Sequence, residues 1–375
     1  MKIILGGDVV PTKENNDLFS EANVNALLED GLLDYWLSAD FRVINLECPI
    51  TNSNETIIKQ GPRLVANMSC FKGLKALNPS LVLLANNHIM DAGESGLLDL
   101  LQMLKDNGLK SIGAGKDLTE ISSSFIINDA DKKVGIYVLC DREFSAAENR
   151  KAGANAISFK CFKELKELSK ELDYLITVYH GGKEYYRYPT SRLQELCHEM
   201  VDAGSNLVIC QHSHCIGSEE EYNGSTILYG QGNFIFNKKH DEFWGSSLLV
   251  EINTENGFHI KYVPIIQTKV GTRLASNNEA AVILNELENR SCNIVMDGFI
   301  VKELHNYSNK LLTSYLYSFA GWNPYLVYFD KRVLKGFLIK RKYSKKQLAA
   351  IWNYINCEAH REVIVDGIAQ MINMN

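Results

Sequence analysis

The feature of this chain that most restricts its fold is a regular alternation of short apolar runs with longer amphipathic segments. Phe41–Leu46 and Lys133–Cys140 have the length and apolar character of buried strands, whereas Leu97–Leu104 carries leucines at helical spacing. Strands and helices in alternation predict a mostly parallel sheet with helices on its faces. The first two-thirds of the chain therefore belong to the α/β class.

The same patterns divide the remainder of the chain. Further strands are predicted at residues 2–5, 80–85, 174–179 and 207–210, and further helices at 23–38, 162–172 and 193–201. Two Asn-Gly turns, at 223–224 and 256–257, predict hairpins among strands at 225–230, 246–253 and 259–265. From about residue 276 the pattern is helical, with helices predicted at 277–290 and 345–372. We expect one domain over residues 1–270 and a helical C-terminal segment over 271–375.

Residues of types that commonly bind metals lie just after the C-terminal ends of the predicted strands. They are Asp8, Glu47, Asn87 with His88, His180, and His212 with His214. The C-terminal ends of parallel strands share one edge of a sheet, so residues far apart in sequence can converge there. Carboxylate, amide and imidazole ligands suit zinc, manganese or iron better than a thiolate site does. Each residue alone is also compatible with a cap or a turn, but six in register favour a metal site.

Cysteine usage and charge exclude other classes. The nine cysteines are scattered and form no C-x-x-C pair, which argues against a zinc ribbon or a disulfide framework and favours free thiols. The first apolar run is too short for a signal peptide, so we expect a cytoplasmic protein. A net charge of −6 argues against a nucleic-acid partner. The remaining histidines are interpreted as structural: His198, His240, His259, His305 and His360.

Several sequence blocks resemble those of a known family. They are Gly7-Asp8, Asn45-Leu46-Glu47-Cys48-Pro49-Ile50-Thr51, Ala85-Asn86-Asn87-His88 with Asp91 and Gly93, Gly113-Ala114-Gly115, His180-Gly181-Gly182-Lys183-Glu184-Tyr185, His212-Ser213-His214, and Tyr229-Gly230-Gln231-Gly232-Asn233-Phe234-Ile235-Phe236. Their order and spacing over residues 1–240 resemble the CapA family of capsule or poly-γ-glutamate biosynthesis proteins. That family is a branch of the calcineurin-like metallophosphoesterase superfamily.

The resemblance implies a metallophosphoesterase-like sandwich of two sheets flanked by helices, with two divalent metal ions (manganese, zinc or iron) between the strand-end loops. The implied metal ligands are Asp8, Glu47, Asn87, His180, His212 and His214, with Glu47 as the bridging carboxylate. His88 would face the substrate and stabilise charge or protonate the leaving group.

Three further residues are candidates around this implied centre. Asp91 would hold the His88 ring, although a carboxylate in the first turn of a helix is also favoured by the helix dipole. Glu184 and Asn233 are candidates for substrate binding, and each is equally compatible with a turn.

The sequence departs from the family pattern at three points. The superfamily usually begins with Asp-x-His, whereas Asp8-Val9-Val10 lacks the histidine. Gln211 replaces the usual glycine before the His-x-His pair, and Gly181 replaces a tryptophan, which predicts open space beside His180. These changes keep the implied ligands and leave the substrate undetermined.

The expected function is that of a metal-dependent hydrolase that uses a two-metal activated water, acting on a phosphoester or an anionic polymer in capsule or poly-γ-glutamate biosynthesis. The alternative is a non-enzymatic, metal-containing scaffold or polymer-binding subunit of a synthesis complex. A nuclease is not favoured, because the predicted catalytic part has no basic stripe interleaved with aromatic residues.

The C-terminal segment contains a concentrated basic stretch. Residues 311–329 carry no charge and many aromatic side chains, and a membrane span is disfavoured there because Gly321 and Asn323-Pro324 interrupt the apolar run. Residues 331–346 then carry eight basic residues and no acidic one: Lys331, Arg332, Lys335, Lys340, Arg341, Lys342, Lys345 and Lys346. One interpretation is a buried aromatic helix pair followed by a solvated basic face. The other is contact with an anionic membrane surface or an anionic polymer.

Overall fold

The computed structural model describes residues 1–129, 131–237 and 242–372. His240, interpreted above as structural, lies outside the described residues. Contacts divide the chain into two compact units, Met1–Ile300 and Val301–Asn375. This boundary differs from the one expected at 270/271, and the division of the chain into a domain over 1–270 and a segment over 271–375 stays a prediction.

The described secondary structure follows the alternation read from the sequence. The strands are β1 (Lys2–Val9), β2 (Leu28–Glu29), β3 (Phe41–Leu46), β4 (Leu81–Leu83), β5 (Ser111–Ile112), β6 (Ala114–Gly115), β7 (Ser124–Asp129), β8 (Lys132–Cys140), β9 (Gly153–Ala154), β10 (Tyr174–His180), β11 (Leu207–Gln211), β12 (Glu219–Tyr222), β13 (Ser225–Leu228), β14 (Asn233–Ile235), β15 (Ser246–Asn253), β16 (His259–Gln267) and β17 (Thr272–Leu274). The helices are α1 (Asn16–Ser20), α2 (Val24–Leu27), α3 (Leu32–Leu37), α4 (Phe71–Ala76), α5 (Gly93–Asp106), α6 (Phe159–Leu168), α7 (Ser191–Asp202), α8 (Asn277–Ile294), α9 (Phe299–Ala320), α10 (Pro324–Arg332), α11 (Phe337–Lys342), α12 (Lys345–Asn356) and α13 (Glu358–Met371).

Two large sheets form the first unit. One has the order β2-β17-β16-β15-β1-β3-β4-β5, with β14 also paired to β1, and the other has the order β12-β13-β11-β10-β8-β7. The strands of β1-β3-β4-β5 and of β8-β10-β11-β13 run parallel, whereas β15, β16, β7 and β12 add antiparallel pairs. The predicted two-sheet α/β architecture is confirmed.

The main core lies between the two sheets. Successive side chains of a strand point to opposite faces of its sheet, so alternate residues of each strand enter this core. In β8, Val134, Ile136 and Val138 belong to the same buried cluster as β1 and β3 of the other sheet. The intervening Tyr137 and Leu139 belong to a second cluster with buried residues of α6 and α7. The sheets therefore pack against each other on one face, while helices cover the outer face of the second sheet.

A close approach of two strands brings β14 beside Asp8. The pairing of β1 with β3 shifts register between Leu5 and Asp8, and Asp8 then pairs with Asn233 of β14. A Cβ added to Gly7 would lie 2.0 Å from the carbonyl oxygen of Gly232. Only glycine at position 7 allows this approach, so the Gly-Gly pair before Asp8 has a packing function.

The predicted helix over residues 23–38 is wrong in its middle. It is two short helices, α2 and α3, separated by β2, which pairs in parallel with β17. Asp30 and Gly31 both have positive φ angles, a conformation that ends a right-handed helix. The spacing of the leucines predicts one continuous helix, but pairing of Leu28 and Glu29 with β17 interrupts it.

The C-terminal unit is helical, as expected, and contains its own small buried cluster of Leu316, Tyr317 and Ile339. The predicted helix at 345–372 is divided into α12 and α13 at Cys357, which has an extended backbone. Helix α8, by contrast, packs against β12 and β16 of the first unit. Among the described residues, no helix combines the length and apolar character needed to span a bilayer.

Candidate metal centre

The ends of parallel strands from both sheets meet at one buried site. Asp8 lies near the end of β1, Glu47 directly follows β3, and His180 ends β10. His212 and His214 lie in the loop after β11. All five side chains are almost completely buried. The structure therefore brings together residues that are about two hundred positions apart in the sequence.

The ligand atoms form two overlapping groups. Atoms of Glu47, His180 and His212 lie within 4.8 Å of one another, and so do atoms of Asp8, Glu47 and His214. Asn87 joins the first group, because its Oδ1 lies 3.1 Å from His180 Nε2. Glu47 is the member common to both groups.

Four buried polar atoms at this site have no hydrogen-bond partner among the described residues: Asp8 Oδ2, Glu47 Oε1, Glu47 Oε2 and His212 Nδ1. His180 Nε2 is 3.2 Å from Glu47 Oε1 without forming a hydrogen bond. Buried polar atoms are normally satisfied, and an isolated buried carboxylate is costly. The donor set, two carboxylates with imidazoles and an amide oxygen, fits divalent transition metals.

Burial changes the proton affinity of the two carboxylates. Burial, with the nearby charge of Glu47, raises the pKa of Asp8 to about 7. Burial raises the pKa of Glu47 to about 8, against the opposing effect of His88 and Lys59. Without a bound cation these carboxylates hold protons near neutral pH, and a divalent ion would replace those protons.

Burial acts on the histidines in the opposite direction. It lowers the pKa of His180, and it lowers the pKa of His212 well below the usual value, with the neighbouring His180 adding to the effect. Both imidazoles are therefore neutral at physiological pH, which is the form that binds metals.

Buried amides orient the carboxylate and imidazole groups. Asn45 Nδ2 donates to Asp8 Oδ1 at 2.7 Å and lies 3.2 Å from His180 Nδ1. Asn86 Nδ2 in turn donates to Asn45 Oδ1 at 3.2 Å. Asn45 and Asn86 lie in sequence blocks that resemble the family, but no role was predicted for either residue. Their positions close to the candidate ligands Glu47 and Asn87 in the sequence could have marked them as part of the site.

The loop of the His-x-His pair has an unusual backbone. His212 and His214 both have positive φ angles, which non-glycine residues rarely adopt. His214 Nδ1 lies 3.0 Å from Asn233 Oδ1, and the indole of Trp244 stacks on the His214 ring with centroids 4.5 Å apart. Strain of this kind concentrates at functional sites, where surrounding contacts hold it in place. Asn233, a candidate for substrate binding, thus contacts a candidate metal ligand.

A second buried cluster adjoins the candidate ligands. His88 Nδ1 lies 2.6 Å from Asp91 Oδ2, and Lys59 Nζ lies 2.8 Å from Asp91 Oδ1 and 3.1 Å from His88 Nδ1. The backbone N–H of Leu64 also donates to Asp91. Asp91 therefore contacts the His88 ring as the sequence analysis expected. Lys59 was not predicted, because no motif or periodicity marks the segment that contains it.

Three further residues discussed above, Glu184, Gln211 and Gly181, lie close in sequence to the candidate histidine ligands. Glu184 is half-buried, and its charge contributes to the raised pKa of Glu47. Gln211 donates to Gln231 Oε1 at 3.0 Å, away from the candidate ligands. The open space expected beside Gly181 is absent, since a Cβ there would lie 2.5 Å from the Tyr179 phenol oxygen.

The fold and the buried cluster define a two-sheet α/β protein with a candidate metal site at the strand ends. The family model described as "Bacterial capsule synthesis protein PGA_cap" matches residues 2–238, which is more than half of the chain. The chain therefore belongs to this family of bacterial capsule synthesis proteins.

Two relatives and one solved structure illustrate the similarity. The chain is 28% identical over 225 residues to "PGA biosynthesis protein CapA" of Bacillus subtilis (strain 168), covering 59% of this chain and 59% of the relative. It is 25% identical over 248 residues to "Capsule biosynthesis protein CapA" of Bacillus anthracis, covering 64% and 60%. The matches thus span about three fifths of these relatives. The solved structure of a putative 5'-nucleotidase from Staphylococcus aureus has 14% sequence identity to this chain and a TM-score of 0.46, with coverage of 77% of this chain and 58% of that one.

Proposed function

We propose that this protein is a metal-dependent hydrolase that acts on a phosphoester or an anionic polymer during synthesis of a capsule or of poly-γ-glutamate. Membership of the PGA_cap family supports the biological process. The buried cluster of carboxylates and imidazoles supports the chemistry.

The observation that carries the proposal is the group of four unpaired buried atoms contributed by Asp8, Glu47 and His212. A protein core normally leaves few such atoms, and divalent ions held by these residues would satisfy all four. Asp8 and His214 would hold one ion with Glu47. Asn87, His180 and His212 would hold the other. Bound divalent ions supply Lewis acidity and lower the pKa of a nearby water, so that it attacks at neutral pH.

The residues beside the metal ligands can perform the proton transfer. Asp91 fixes the His88 ring through Nδ1, which leaves Nε2 as the ring nitrogen that exchanges a proton with a substrate. Lys59 balances the charge of Asp91, so the cluster can accept a negatively charged group close to His88. His88 would protonate the leaving group or stabilise its charge.

The proposal is tested by measuring metal content and hydrolysis of bis(p-nitrophenyl) phosphate in the purified chain. The wild type should contain tightly bound divalent metal and turn over the ester. His212→Ala should lose both, whereas His88→Ala should keep the metal and lose about a hundredfold or more in kcat. The exposed His259 provides a matched control, and His259→Ala should change neither property. Equal metal content in all variants, with no turnover in any, would contradict the proposal.

A non-enzymatic role in a polymer synthesis complex is the second candidate. It is favoured by Val10, a buried apolar residue at the position where the resembled superfamily carries a histidine. A scaffold predicts that binding of poly-γ-glutamate, measured by calorimetry, survives His88→Ala while wild type and variant show no turnover. If the protein is an enzyme, the wild type should show turnover and His88→Ala should lose it.

A further inference from the structure

Helix α10 has an exposed aromatic face that its own unit does not cover. Tyr325, Tyr328, Phe329 and Arg332 follow the i, i+3, i+4, i+7 spacing of one helix face. Tyr325 is 88% exposed and Tyr328 is 66% exposed. The opposite face packs inward, since Val327 lies against the small core of the C-terminal unit. The interpretation of this region as a buried aromatic helix pair is therefore wrong for α10.

The charge around this face is almost entirely positive. All eight basic residues between 331 and 346 are exposed. The only acidic residue between Glu303 and Glu358 in the sequence is Asp330, and its side chain is buried. Residues 301–375 carry eleven basic and five acidic residues, a net charge of +6, which leaves −12 for residues 1–300.

Asp330 also joins the aromatic helix to a basic one. Its carboxylate accepts hydrogen bonds from the Tyr317 hydroxyl at 2.8 Å and from the backbone N–H groups of Leu338 and Ile339 at 2.9 and 3.0 Å. The Leu338 and Ile339 amides belong to the first turn of α11, which ends in Lys340, Arg341 and Lys342. The one negative charge of this stretch is therefore held inside the unit, away from the exposed surface, and its hydrogen bonds join α10 to α11.

We propose that α10 and α11 dock the protein onto the surface of an anionic lipid bilayer. The docking face consists of Tyr325, Tyr328, Phe329 and Arg332 of α10 with the exposed Phe337, Lys340, Arg341 and Lys342 of α11. Tyrosine and phenylalanine enter the interfacial layer of a membrane, and basic residues are attracted to anionic head groups. A soluble carboxylate polymer would pair with the basic residues but would offer the exposed rings no apolar partner. The combination therefore favours a bilayer over a polymer.

The test is co-sedimentation of the full chain with phosphatidylcholine vesicles, with and without phosphatidylglycerol. The chain should bind only the anionic vesicles, and the binding should weaken as salt is raised. Lys340→Gln with Arg341→Gln and Lys342→Gln should weaken binding at least about tenfold. Tyr325→Ser with Tyr328→Ser and Phe329→Ser should also weaken it, with unchanged circular dichroism because these side chains are exposed.

A matched triple variant in the first unit, Lys105→Gln with Lys163→Gln and Lys166→Gln, changes the net charge by the same amount at exposed positions. It should bind vesicles as the wild type does. Equal loss in this control would overturn the proposal, as would wild-type binding by the aromatic triple variant. Binding to soluble poly-γ-glutamate without binding to anionic vesicles would also overturn it. None of these outcomes depends on hydrolysis or on metal content.

Discussion

Lys59 and Asp91 form a buried ion pair, with 2.8 Å between Nζ and Oδ1, and the other oxygen of the same carboxylate contacts His88. Neither side chain is appreciably exposed. The lysine thus shares a carboxylate with the histidine proposed as proton donor. Through this arrangement the irregular segment that contains Lys59 is tied to the loop that carries Asn87.

Replacing Lys59 by methionine should destabilise the protein strongly. The variant leaves the buried Asp91 carboxylate with His88 and the Leu64 amide but without its lysine, and loss of one partner of a buried ion pair costs about 3–5 kcal/mol. Urea unfolding followed by circular dichroism measures this change. Lys116→Met removes a lysine from an exposed pair with Glu120 and should have little effect. Equal stability of the two variants would show that the Lys59–Asp91 pair is not energetically important.

Asp91→Asn should show whether Asp91 orients the His88 ring or helps to hold the metal. The amide keeps the shape of the carboxylate but no longer fixes the tautomer and charge of the His88 ring. We expect unchanged metal content, a fall in kcat of about tenfold to a hundredfold, and little change in KM. Loss of metal together with activity would instead place Asp91 among the residues that hold the metal centre.

Sequence reasoning identified the candidate ligands because the ends of parallel strands share one edge of a sheet. It did not identify Lys59. The position of this residue depends on the path of the irregular segment 51–66, whose two ends are held together by pairing of Ile50 with Ala66 and which places Lys59 beside His88. The same dependence on tertiary folding applies to Tyr185, whose ring lies near those of His214 and Trp244. Contacts of this kind depend on tertiary folding and leave no local pattern in the sequence.

Gly7→Ala should disturb the site through the backbone. The added methyl group would overlap the Gly232 carbonyl and force β14 away from Asp8. Overpacking of this kind costs about 1–3 kcal/mol, and metal affinity should fall with it. Gly245→Ala is the control, because its nearest neighbouring atom would be 3.8 Å away. Thermal unfolding and metal titration would show no difference between the two variants if the close approach were unimportant.

The metal-free protein should become less stable as pH rises above neutrality. The folded-state pKa values of Asp8 and Glu47, about 7 and about 8, lie above the value of roughly 4 expected in the unfolded chain. Stability from these groups is therefore complete below about pH 4 and is lost as pH rises through their folded pKa values. The lowered pKa values of His180 and His212 act in the opposite direction, but only up to about pH 6.5.

In a chelator, the melting temperature should consequently fall between about pH 6.5 and about pH 8, where the folded carboxylates still hold protons that the unfolded chain has released, and it should level off above about pH 8. Glu47→Gln removes one of the two groups and should flatten this dependence, whereas the exposed Glu171→Gln should not. An identical pH dependence in wild type and Glu47→Gln would contradict the assignment of the effect to this carboxylate.

Counting the divalent ions bound per chain is the most direct test of the proposed role of Glu47, the residue common to both groups of candidate ligands. Inductively coupled plasma mass spectrometry of the dialysed wild type should give two divalent ions per chain, and Glu47→Gln should lose both, because Glu47 belongs to both ligand groups. A wild type without bound metal, or a Glu47→Gln variant with the same metal content as the wild type, would contradict the account.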